Sequence, residues 1–308
     1  MAAYPRWLPN PYLSLTILSW GYNFVAIKLL YQELNAPSVA LGRFAAMYAI
    51  MVGVCLAAGQ SLRYPTGSAL KILINGFLSM GVYMILFVEG LRESTAPEAA
   101  IILSTSPILT YLLAVFIRQE RFSGWAMVGA VVAYAGVVIV VLGGAELSPA
   151  RLGGNLLIFA SAFVWAVAVV QSKSLVVATN PVRFLTLSMP GGLAALIPYG
   201  MAATIAAPWS QLSLPTWLAM AHVILLAGVL GFTCFYKGVE QIGPSGAMIY
   251  QYLVPPLTAV FSWLVFRFAL TPMQFVGFVV VLGGVIWATR ARTLAARRPI
   301  PEPVSTAA

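Results

Sequence analysis

"YLVPPLTAVF", residues 252–261, sets two adjacent prolines inside an apolar run long enough to cross a membrane. Proline has no backbone N–H to donate, and its ring clashes with the carbonyl four residues back. In hydrocarbon a freed carbonyl finds no water, so such a segment is tolerated only against protein or a water-filled cavity. The stretch therefore predicts a disrupted helix facing the interior of a helical bundle. A second stretch, "SPILT" at 106–110, carries the same signal: at an offset of 148, Pro107 meets Pro255, Leu109 meets Leu257 and Thr110 meets Thr258.

The same offset extends outward, pairing Gly90 with Gly238, Ala99 with Ala247, Ile101 with Ile249, Gly129 with Gly277 and Gly136 with Gly284. Earlier in the chain an offset of 145 pairs Trp20 with Trp165 and Lys28 with Lys173, a difference that one loop absorbs. The 308 residues around these matches are 61% hydrophobic and only 8% charged, with a mean hydropathy of +0.92. Soluble domains carry about 25% charged residues. No window alternates with period two between turns, which argues against a membrane barrel.

Runs of roughly 20 apolar residues, the length that spans the hydrocarbon, are read at 11–32, 37–59, 68–90, 95–117, 122–143, 153–173, 181–203, 214–240, 244–267 and 271–291. Five spans per repeat is an odd number, so the second copy must enter the membrane from the opposite side. The fold class expected is an all-α polytopic membrane protein, with ten transmembrane helices as two inverted five-helix repeats. Residues 1–147 and 148–292 form the repeats, and 293–308 a disordered, basic and Pro-rich cytoplasmic tail. The first span is expected to be retained, since "MAAYPRWLPNP" offers neither a charged n-region nor a cleavage site.

The net charge of +9 is explained by its placement. With both termini inside, twelve Lys and Arg fall in cytoplasmic segments against three outside (Arg92, Arg151, Arg267), leaving Lys28 and Arg43 within spans. That bias sets the orientation and suits a cell inner membrane, and it removes the reason to invoke nucleic acid. Cys55 and Cys234 lie in apolar spans and read as small packing residues. There is no Asp, one His and no Walker A stretch, so clustered acids for Mg²⁺, a hydrolytic triad and ATP-driven pumping all lack their residues. No catalytic residue, metal or cofactor is expected.

The interior candidates follow from helical spacing. Pro107 should free the carbonyl of Leu103, while Pro255 and Pro256 should free those of Gln251 and Tyr252. The three prolines are read as hinges whose carbonyls could also face a substrate. Met248, Gln251 and Tyr252 accompany them on span 9, and Ser104 and Tyr111 on span 4. Span 1 offers Trp20 and Asn23, span 3 Tyr83 and span 6 Trp165. Tyr4, Trp7, Trp209 and Trp217 sit near span ends and read as an interfacial belt. The Gly129/Gly136 and Gly277/Gly284 pairs are two turns apart and are assigned to close helix packing.

All eight acids are Glu, most at span ends. Glu98 and His222 are candidate proton sites, the histidine competing with a structural, hydrogen-bonded role. Lys28 and Arg43 lie toward span ends and are expected to snorkel, with a role at the substrate as the alternative for each. A cavity of Trp, Tyr, Asn, Gln and Ser with little charge suits a neutral or zwitterionic amphipathic solute, whose ammonium could meet carbonyls or ring faces.

Together these features resemble the ten-helix EamA-type members of the drug/metabolite transporter superfamily. The resemblance rests on the five-plus-five repeat, the central prolines, "IRQERFSGWAMVGAVVAYAGVVIVV" (117–141) and "TPMQFVGFVVVLGGVIWAT" (271–289). Glu120 matches a Glu that commonly closes the family's fourth span; in the second half Phe268 takes that place. The resemblance implies efflux or exchange of a small-molecule substrate by alternating access. Within the family the chain looks most like bacterial aromatic amino-acid exporters of the YddG type. Aromatic or large neutral amino acids are thus the expected substrates, with uncoupled transport and proton coupling both open. The alternatives are an anionic metabolite of the sugar phosphate or nucleotide sugar type, or drug/proton exchange. A monomer in the bilayer is expected, with a dimer as the alternative.

Overall fold

The structure, a computed structural model, describes residues 10–94, 96–142, 151–267 and 271–297. Its helices are α1 (Pro11–Leu30), α2 (Ala36–Ala57), α3 (Ala69–Glu93), α4 (Ala96–Leu103), α5 (Ser106–Phe116) and α6 (Gly124–Leu142), followed by α7 (Leu152–Thr179), α8 (Pro181–Ala206), α9 (Leu214–Ile242), α10 (Pro244–Ile249), α11 (Val254–Phe266) and α12 (Pro272–Arg297). Among the described residues there is no strand. Eight stretches are long and apolar enough to cross a membrane, one of them α10 and α11 taken together with the turn between them (Pro244–Val265), and the shorter apolar helices Ile101–Phe116 and Gly124–Val140 occupy the fourth and fifth predicted spans. Large side chains face outward, with Phe116 83%, Phe275 71% and Leu218 63% exposed. Lipid tails, not water, fit such a surface. The chain is an all-α, multi-pass membrane protein.

Helix starts follow an Asn-then-Pro rule. Asn10 accepts from the backbone N–H of Tyr12 and Leu13, Asn35 from that of Ser38 and Asn180 from that of Arg183, with Pro11, Pro37 and Pro181 in the first turns. The amide satisfies donors that the helix start leaves orphaned, and proline occupies positions where no donor is needed. Two boundaries differ from expectation: α7 runs six residues past the predicted end of span 6, and α12 continues to Arg297, into the predicted tail. The remainder of that tail, with Tyr4, Trp7 and Phe268, lies outside the described residues.

Each proline follows an irregular turn rather than a regular α-helical one. Pro107 sits in the first turn of α5, after a break at Ser104 and Thr105; Pro255 and Pro256 open α11, after a 3₁₀ turn over Tyr250–Leu253. Two of the three carbonyls expected to be freed, those of Leu103 and Gln251, have partners. Leu103 O accepts from Ser106 Oγ at 2.7 Å, Ile102 O from Thr105 Oγ1 at 2.7 Å, and Gln251 O from the backbone N–H of Val254. Local hydroxyls and a tightened turn satisfy these carbonyls.

The third span of each half carries a π-helical stretch, Phe77–Val82 in α3 and His222–Phe232 in α9. Shifting 77–82 by the offset of 148 gives 225–230, inside the second stretch, and shifting 102–105 gives 250–253, the 3₁₀ turn of the ninth span. Backbone irregularities, which no apolar composition enforces, therefore recur in register.

Glycines bring α6 and α12 to backbone contact. A Cβ at Gly129, Gly136, Gly277 or Gly284 would stand 2.5, 2.6, 2.7 and 2.3 Å from the backbone N of Ala288, Val281, Val140 and Ala133 respectively. As one residue number rises its partner falls by as much, so the helices run antiparallel. These glycines pack helices, as expected.

Candidate functional site

The middle of the bundle is aromatic, and four helices supply it. Trp20 of α1 and Trp165 of α7 meet edge to face with centroids 6.2 Å apart. Phe232 and Phe235 of α9 lie 5.3 and 5.2 Å from Trp20, and 6.1 and 5.5 Å from Trp165. Tyr83 of α3 lies 5.3 Å from Trp165 and stacks on Phe87, which meets Phe24 of α1 at 6.2 Å. Trp165 is buried, while Trp20 and Tyr83 are only half-buried. Separations of this order are those of attractive ring pairs, and the half-buried edges leave ring surface for a further apolar group.

The π-helix of α9 is held by α1. Trp20 Nε1 donates to Ala227 O at 3.0 Å, and Thr16 Oγ1 to Gly231 O at 3.1 Å. A π-turn disturbs the ordinary hydrogen-bond ladder, and in a membrane the carbonyls left over must find donors within the protein. Trp20 thus both lines the centre and anchors the irregular backbone beside it.

The other sequence candidates are distributed unevenly. Asn23 lies one turn beyond Trp20, and its Oδ1 is buried without a partner. Met248 is fully buried in the same apolar core as Trp165, and Gln251 is half-buried one turn away. Ser104 is buried at the α4–α5 break. Tyr111 and Tyr252 point elsewhere. Tyr111 OH accepts from Ser123 N at 2.5 Å and ties the loop after α5, with its ring stacked on Phe122. Tyr252 packs among Ala133, Val137, Val281 and Val285 between α6 and α12. Helical spacing counted through Ser104 places Tyr111 on the inner face only if span 4 is continuous, and the break resets the rotation.

His222 sits between α1 and α9, with Nε2 3.1 Å from Ser19 O and its ring 4.6 Å from that of Tyr22. The competing structural role describes this placement. Glu98 belongs to α4, and its side chain lies outside the described residues. Lys28 is exposed. Arg43 does not snorkel: at 4% exposure it is the one charged side chain among the buried residues described. Its guanidinium lies 5.0 Å from the Phe44 ring centroid, and its Nε has no hydrogen-bond partner.

Polar contacts gather at the two ends of the bundle. At one, Glu120 bridges the α5–α6 loop to Arg292 Nη2 of α12 at 2.8 Å and accepts from Ser245 N of α10 at 3.3 Å. Lys173 Nζ there caps the end of α9 through Val239 O and Glu240 O at 3.0 and 2.9 Å. At the other, Glu33 accepts from the hydroxyl and backbone N–H of Ser213, and Tyr199 OH donates to Glu89 at 2.8 Å. Apart from the Lys173 bonds, these contacts join residues before 143 to residues after 151, so the two parts of the chain are fastened at both ends. Sequence reasoning passed over Arg292, Phe232 and Phe235; the recurrence of Phe at i and i+3 on span 8 was the available signal.

The model of the EamA-like transporter family matches the chain twice, over residues 9–142 and again over 152–290. The chain belongs to this family. The transporter YyaM of Bacillus subtilis, itself uncharacterized, is 26% identical over 87% of this chain and 89% of its own length. A probable amino-acid metabolite efflux pump of Escherichia coli is 22% identical over 88% of this chain and 91% of its own length. A protein crystal structure superposes with a TM-score of 0.78 at 20% identity, covering 92% of this chain and 97% of that one; at that identity it speaks for the fold. As an EamA-like protein the chain is a transporter, not an enzyme.

Proposed function

We propose that the chain is a secondary exporter of aromatic or large neutral amino acids. It works by alternating access around the Trp20–Trp165–Tyr83 cluster, with two inverted five-helix repeats exchanging conformations. The cluster carries this reading: rings contributed by both halves, at mid-span, half-open to a further apolar side chain. The double family match, the in-register π-helices and the in-register breaks of spans 4 and 9 support the repeat. Transport without obligatory proton coupling is favoured because the buried charge described is a guanidinium, not a carboxylate. The Lys and Arg bias supports an inner-membrane protein with both termini cytoplasmic.

Counterflow of labelled tryptophan or phenylalanine into proteoliposomes tests the proposal. Saturable exchange that ignores an imposed pH gradient is expected. Exchange that follows the gradient would overturn the uncoupled mechanism, and none from folded protein would overturn the substrate class.

A further inference from the structure

Arg43 is costly where it stands. Removing a guanidinium from water without pairing it opposes folding, yet Arg43 is 4% exposed and forms no ion pair among the described residues. The Glu89 carboxylate is engaged elsewhere, by Arg92 at 3.0 Å and by Tyr199 OH. Two further polar atoms are buried and unpartnered, Asn23 Oδ1 in the middle of α1 and Tyr31 OH at its C-terminal cap. The guanidinium lies 5.0 Å from the Phe44 ring, which meets Phe232 of the aromatic cluster at 6.4 Å, and its Nε has no hydrogen-bond partner.

We propose that Arg43 is the carboxylate-binding residue of the transport site, with Asn23 Oδ1 receiving the substrate's ammonium group. This rests on the aromatic cluster being where substrate binds, and it adds a requirement that the cluster does not impose: the substrate must carry a carboxylate. A planar guanidinium matches a carboxylate with paired donors, and in a buried site the pairing discriminates strongly against an uncharged analogue. The rings then take the side chain. An α-amino acid with a large apolar side chain satisfies all three elements, whereas its amide or its decarboxylated amine leaves Arg43 unanswered.

The test uses thermal unfolding of the purified full chain with matched ligand pairs: L-phenylalanine against L-phenylalaninamide, and 3-phenylpropionate against 3-phenylpropionamide. The carboxylates are expected to raise Tm at concentrations about tenfold or more below those the amides require. Arg43→Gln is expected to abolish the difference within each pair while leaving the ligand-free Tm unchanged or higher, since an unpaired buried charge is removed. Equal shifts by acid and amide would overturn the assignment. So would a carboxylate preference surviving in Arg43→Gln, or a variant that melts well below the native chain without ligand, which would mark Arg43 as structural. No shift by any of the four ligands would overturn it too. Counterflow decides separately: carboxylate-selective shifts without phenylalanine exchange would retain the Arg43 site and sink the amino-acid reading.

Discussion

Ser106 donates its hydroxyl to the carbonyl of Leu103 at 2.7 Å, across the break that Pro107 requires. Ser106 is 1% exposed, so no solvent can replace it. Ser106→Ala should leave a buried carbonyl unsatisfied, at a cost of about 1–3 kcal/mol. Thermal unfolding against Ser106→Thr, which keeps a hydroxyl, isolates the bond. If Ala and Thr variants melt together, the hydroxyl does not stabilise the break.

Adjacent glycines on α12 provide a matched comparison. A Cβ at Gly284 would stand 2.3 Å from the backbone N of Ala133, whereas one at Gly283 meets nothing within 4 Å. Gly284→Ala should force α6 and α12 apart, costing about 1–3 kcal/mol or more, and Gly283→Ala should be nearly silent. The yield of monodisperse protein and the Tm of the two variants provide the check. Gly136→Ala belongs with the first of these, since its Cβ would meet Val281 N at 2.6 Å.

Glu120 and Arg292 are both largely buried, at 14% and 17% exposure. Glu120→Gln should loosen the join between the α5–α6 loop, α10 and α12. In a chain carrying Ser245→Cys, labelling by a membrane-impermeant maleimide should then proceed severalfold faster than with Glu120 intact; Cys55 and Cys234 are buried in their helices. Equal labelling rates would show that this pair does not hold the end closed.

Glu33 gives a pH dependence whose sign is fixed. The Ser213 hydroxyl, then its backbone N–H and the Thr216 hydroxyl, hold this carboxyl below its ordinary value of 4.5. The folded form thus prefers the ionised group. The contribution is present above about pH 4.5 and is lost as pH falls through the lowered value. Native protein should lose more Tm than Glu33→Gln between pH 6 and pH 3, and parallel curves would refute the linkage.

Much of the fold was legible because lipid leaves few options: runs of the required length, breaks at proline and a shared offset suffice. What the prolines do locally was less legible. Ser106 and Thr105 beside Pro107 were visible as hydroxyls, but their pairing with Leu103 and Ile102 depends on a break rather than a bend. Neither π-helix announces itself, since "FLSMGV" and "HVILLAGVLGF" contain no proline. Arg43 was misplaced for a different reason. Depth along a span is readable from sequence, but the face a side chain takes depends on which neighbours close over it.

The glycine seam between α6 and α12 has one more property. Adding 148 to Gly129 and subtracting it from Ala288 turns that contact into Gly277 with Val140; the same operation turns Ala133–Gly284 into Val281–Gly136. The contact set maps onto itself, as the two faces of a two-fold homodimer do. Whatever shape one half takes and the other gives up, this line of contact can stay as it is, a bearing rather than a gate. A chain of half the length would have found the same surface complete in a second copy of itself, inserted upside down.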